Sequence, residues 1–157
     1  MLLVYNLCSV QQTSDGGLVA CALENGLVAI FDSSKRHLQE KFCLHAHQQG
    51  ASQLHFTQDS LLVTGGNDAR IVLWDLAKAD QNQNEGGGDG GGGEILANGH
   101  DSSSEDGRNE RVTEMCRVKV IEHGQKVNWM SVYCGEDGRW RVVVADQSCD
   151  LTVYPLS

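Results

Sequence analysis

LLVTGGNDARIVLWDL, residues 61–76, holds two apolar runs parted by a polar turn, and it closes on Trp74-Asp75. The runs are rich in β-branched and aromatic residues, and Gly65-Gly66-Asn67-Asp68 has turn chemistry, so the stretch reads as a strand pair. The pattern recurs outward from it: VYNLCSV (4–10), LVACAL (18–23), LVAIFD (27–32), HLQEKFC (37–43), SQLHF (52–56), CRVKVI (116–121), KVNWMSV (126–132), RWRVVVAD (139–146) and LTVYPL (151–156). Asp15-Gly16-Gly17, Glu24-Asn25-Gly26 and Asp137-Gly138 supply the punctuation. Many short strands with regular turns predict an all-β array.

The 157 residues suit about one domain, and 40% apolar content is enough for a packed core. A formal net charge of -9 argues against duplex nucleic acid or an anionic membrane as the main partner. No apolar run approaches the roughly 18 residues a spanning helix needs. The apolar start, Met1-Leu2-Leu3-Val4-Tyr5, lacks a basic leader and a cleavage site. A cytoplasmic or nuclear location is therefore expected, with Cys8, Cys21, Cys43, Cys116, Cys134 and Cys149 as reduced, buried thiols.

Charge is concentrated in one segment. Residues 79–114 carry nine acids and two Arg, so seven of the nine net negative charges lie there. With GGGDGGGG in it and few apolar residues, the segment cannot offset its ordering entropy by burial. It reads as a disordered acidic insert, because strand-like sequence resumes after it, and it could steer a basic partner.

Outside the insert the array repeats. Phe31-Asp32 precedes Trp74-Asp75 by 43 residues, and Trp74 precedes Tyr154 by 80, or 44 with the insert left out. Units of 40–45 residues with four strands each are the signature of propeller blades. On these residues the chain resembles the WD40-repeat β-propeller family. The resemblance implies a hydrogen-bonded set of His, Thr, Asp and Trp in each blade, here His47, Thr64, Asp68 and Trp74. The motif is then structural: a Thr within an apolar strand offers neither an exposed nucleophile nor an oxyanion site. The first unit is degenerate, with Asn25 and Phe31 in the Asp and Trp positions. The third has His123 and Tyr154, but Ser148 falls where Asp belongs, and Asp146 and Asp150 are both candidates to replace it.

The expected organisation is a degenerate blade over 1–45, three strands of a second blade over 46–78, the insert over 79–114, the outer strand of that blade over 115–121, and a last blade over 122–157 without its outer strand. About three blades cannot close a ring, since propellers usually have four to eight. The chain is therefore expected to be part of a larger ring, seven-bladed on the family pattern, with apolar faces and strand edges bare in isolation.

The function this predicts is a non-catalytic protein-interaction scaffold. Some family members instead serve as substrate receptors of cullin 4 ubiquitin ligases and dock the adaptor through a WDxR box. Here the Arg position is Ala77, with Lys78 one place late. Lys cannot reproduce a planar, bidentate guanidinium. No catalytic, cofactor-binding or metal site is expected. Gly86–Gly93 lacks the flanks and Lys of a phosphate loop, and His45-Ala46-His47 has no third ligand at matching spacing. Ser102 and Ser103 each precede an acid by three residues, which suits an acid-directed kinase and equally a helix cap.

Overall fold

The computed structural model describes residues 6–58, 60–81 and 102–156, with side-chain detail beginning at 107 in the last of these. Among these described residues eleven strands form three antiparallel sheets. The first contains β1 (Leu7–Gln12), β2 (Leu18–Leu23), β3 (Leu27–Asp32) and β4 (Gln39–His45), in that order. The second contains β5 (Ala51–Gln58), β6 (Leu61–Gly66), β7 (Arg70–Asp75) and β8 (Arg117–Glu122). The third contains β9 (Trp129–Cys134), β10 (Trp140–Ala145) and β11 (Leu151–Pro155). The first strands meet, with β5 lying against both β1 and β9. The architecture is all-β and propeller-like.

The opening hairpin is β6 and β7, paired from Leu61↔Asp75 to Gly65↔Ile71. Its apolar runs are continuous because the middle sheet is buried on both faces, and alternation survives only where one face meets water. Leu62, Val72 and Trp74 point to the first sheet and join Ala20, Ala22, Val28, Ile30, Phe42 and Leu44 in one core. Val63, Ile71 and Leu73 point the other way, against Val127, Met130, Val142 and Val144. The far faces of the outer sheets carry large apolar groups in the open: Trp129 is 50% exposed and Leu151 67%.

Among the described residues, two helices interrupt the second sheet between β7 and β8: α1 (Ala77–Gln81) and α2 (Ser102–Cys116). They correct the expectation of disorder over 79–114 for the described part of that segment; residues 82–101 lie outside it. The reason is tertiary. Thr113 and Cys116 are buried, Val112 packs on the first core, and α2 lies along β4. Burial supplies what the polar composition lacks. No described helix is long and apolar enough to cross a membrane.

A second correction concerns the thiols. All six are free, but Cys8, Cys134 and Cys149 are exposed and only Cys116 is fully buried. They sit on the one-sided strand β1, at the end of β9 and in the turn before β11, where an apolar run does not mean burial. Burial, followed by the charge and hydrogen bond of Glu40, pushes the Cys43 thiol up to about 12. Only the thiolate reacts, so Cys43 should alkylate about a thousandfold more slowly than an ordinary cysteine. Iodoacetamide labelling at pH 8, read by mass spectrometry, should modify Cys8, Cys134 and Cys149 first.

Candidate functional site

The structure brings His47, Thr64, Asp68 and Trp74 together. His47 lies in the loop from β4 to β5, Thr64 within β6, Asp68 in the turn to β7 and Trp74 near the end of β7. His47 Nδ1 is 2.8 Å from Asp68 Oδ1, and its Nε2 is 2.9 Å from Thr64 Oγ1. Trp74 Nε1–H donates to the same hydroxyl oxygen at 3.0 Å. Asp68 Oδ2 accepts the Gln48 N–H at 3.0 Å. Donor chemistry orders the set. An indole only donates and a carboxylate only accepts, so Trp74 donates to Thr64 and the His47 Nδ1–H donates to Asp68. Every member is satisfied, which a buried polar network requires.

The glycines of the quoted stretch make room for it. A Cβ on Gly66 would lie 2.3 Å from His47 Nδ1 and 2.5 Å from Asp68 Oδ1. On Gly65 it would lie 2.8 Å from Val127, whose side chain belongs to the neighbouring core. The turn also holds strain, since Ala69 has φ 64°. Ala69→Gly relieves a left-handed conformation that costs an L-residue about 1 kcal/mol, so its melting temperature should rise by a few degrees.

The arrangement has the connectivity of a hydroxyl–imidazole–carboxylate triad, but it is sealed. Thr64 is 0% exposed, and its oxygen already accepts the indole N–H. A nucleophile needs a free path to substrate; this hydroxyl has none. Its work is to fix the loop at His47 onto the hairpin turn.

Burial alone would raise the Asp68 carboxyl, but the His47 hydrogen bond and charge, with the Gln48 and Arg70 amides, hold it below the ordinary value. A lowered native value means that the unfolded chain binds the proton first. The stabilisation is thus complete above about pH 4 and is lost as pH falls through the native value. Asp68→Asn should cost about 1.5–3 kcal/mol near neutrality, the range for hydrogen bonds to charged groups. Thermal melts from pH 7 to pH 2 should show the gap from wild type closing in acid.

The third sheet reaches a similar end with other residues. His123 Nδ1 is 2.9 Å from Tyr154 Oη, and the rings meet edge to face with centroids 5.8 Å apart. His123 Nε2 lies 2.9 Å from Asp146 Oδ2, within ion-pair distance. Asp146 is thus the acid facing His123. The residue in the Asp position by spacing, Ser148, gives its N–H to Asp146 Oδ1 at 2.6 Å. These Ser148 bonds are the main cause holding the Asp146 carboxyl below its ordinary value, with His123 adding to them. Spacing left Asp146 and Asp150 both open because a phenol hydroxyl reaches past the strand to the imidazole directly, with no Thr between.

In the first sheet no such set forms. Asn25 Oδ1 accepts the Leu27 N–H at 3.1 Å, a local turn bond, and Phe31 is half-buried. Ser102 and Ser103 open α2, and their side chains lie outside the described residues. Among the described residues no group of three metal-ligating side chains is assembled.

No family model matches the chain. Part of it is 36% identical over 76 residues to restriction of telomere capping protein 1 of Clavispora lusitaniae. Part is 37% identical over 68 residues to protein transport protein SEC31 of Kluyveromyces lactis. Part is 34% identical over 76 residues to DDB1- and CUL4-associated factor 10 of Danio rerio. These matches cover 46%, 42% and 48% of the chain, and 6%, 5% and 14% of those proteins. The similarity is to WD40-containing proteins, over less than half of the chain, and it points to a WD40-like family.

Proposed function

We propose that the protein is a non-catalytic interaction scaffold, acting in the cytoplasm or nucleus as part of a larger propeller. The observation that carries this reading is the sealed polar set. The one catalytic-looking constellation of the opening motif is spent on holding a loop to a hairpin, which leaves rigid turns and rims as the usable surface. Fold alone does not name a partner. The order of LLVTGGNDARIVLWD, IEHGQKVNW and VVVADQSCDLTVYPL supports a finer proposal, likeness to the C-terminal part of WD repeat-containing protein 53.

The second reading is a substrate receptor of a cullin 4 ubiquitin ligase, favoured by the partial likeness to DDB1- and CUL4-associated factor 10. Against it, Ala77 opens α1, and its N–H is bonded by Asp75 Oδ1 at 3.1 Å. The Asp of the box thereby caps the start of a helix, and Ala77 stands in the Arg position.

Co-purification of the full-length protein, then rebinding of each purified partner, tests both. Saturable binding that leaves the partner chemically unchanged supports a scaffold, and conversion of a partner by the protein alone overturns it. Absence of the cullin 4 adaptor from the purified material removes the second reading.

A further inference from the structure

The outer edge of the first sheet is covered in an unusual way. β4 is an edge strand, and edge strands present free N–H and C=O groups to any other chain. Here the N–H of Cys43 donates to Asn109 Oδ1 at 3.3 Å, and the N–H of His45 donates to Thr113 Oγ1 at 2.9 Å. The two amides are spaced at the strand period of two residues. Their acceptors are spaced at the helix period of four, on one face of α2. Two side chains thus stand where the carbonyls of a fifth strand would be. Thr113 Oγ1 also donates to Asn109 O at 2.7 Å, which fixes the acceptor oxygen towards β4. Although α2 belongs to the segment between β7 and β8, it caps the edge of a different sheet.

We infer that α2 masks a strand-addition site on β4, and that the occupant of the unmasked edge is β4 of a second copy of this chain. Sequence register favours a like copy. An antiparallel two-fold pairing with Cys43 opposite its symmetry mate lets both outward groups of that residue bond reciprocally. The same register sets Phe42 beside Leu44 of the second copy. Phe42 and Leu44 are both core residues of the first sheet, so the apolar stripe continues across the junction and no acid is placed opposite an acid. The inference is independent of the scaffold reading.

The test uses the full-length protein in three forms: wild type, Asn109→Ala with Thr113→Val, and that pair with Cys43→Pro. Proline removes the outward N–H, which an edge strand tolerates better than a central one. Light scattering after size exclusion should show the paired variant moving, with rising concentration, towards about twice the wild-type mass, and Cys43→Pro returning it. A paired variant that keeps the wild-type mass, or association that survives Cys43→Pro, overturns the inference. If the pair does not fold, Asn109→Ala alone serves, with hydrogen exchange as the readout. Exchange at the Cys43 amide should rise in dilute solution and fall again when the protein is concentrated; a rise that ignores concentration overturns it.

Discussion

Trp74→Ala should unfold the protein or bring it to the edge of unfolding. The side chain is fully buried in the core shared by the first two sheets, and its N–H is bonded to Thr64. Emptying such a site costs about 3–5 kcal/mol, against a total stability of about 5–15 kcal/mol for a domain of this size. The loss should appear in urea titration as a midpoint lowered by more than any other single substitution discussed here. Trp74→Phe separates the two contributions. It keeps most of the apolar volume and removes only the indole donor, so it should cost about 1–2 kcal/mol. Equal losses for the two variants would mean that the hydrogen bond dominates and the packing account is wrong.

Gly26→Ala is the second large effect. Gly26 sits in the turn between β2 and β3 with φ +87°, and its carbonyl accepts the His47 N–H at 3.1 Å. An added Cβ would lie 2.2 Å from the His47 carbonyl oxygen and 2.6 Å from that of Gln49. Both neighbours are backbone, so no side chain can swing aside. Left-handed strain and the forced shift together should cost about 2–4 kcal/mol. The displaced group is the loop that aims His47, so the damage should reach the second sheet as well. A downfield ring N–H proton of His47 is expected by NMR in wild type, and it should broaden or vanish in the variant. Its persistence unchanged would show that the loop is held by the Thr64 and Asp68 bonds alone.

What could be read from the sequence followed the range of each interaction. The strand array was legible because alternation and turn residues are local, and Asp68 with Trp74 stood out because both flank one hairpin. Helix α2 was not. Its 15 residues include Gly107 and carry only Val112, Met115 and Cys116 as apolar groups, so no amphipathic stripe announces it. What holds it are contacts across 66 and 68 residues of chain, Cys43 to Asn109 and His45 to Thr113, and no local pattern encodes these. The helix-cap pattern at Ser102 was the one local hint. Asp146 was ambiguous for a related reason: a counting rule assumes a Trp at the end of the set, and Tyr154 changes the reach.

The placement of β8 bears on how the molecule assembles. Strand β7 ends at Asp75 and its neighbour β8 begins at Arg117, so roughly forty residues must be threaded before the middle sheet gains its last strand. Closing such a span is a modest equilibrium burden, about 0.6 kcal/mol for each doubling of length, but it delays contact. The β5–β6–β7 meander can form from neighbouring segments alone, while β8 arrives late. Changing the distance between Asp75 and Arg117 should therefore act chiefly on the rate of folding, and only weakly on the depth of the native state.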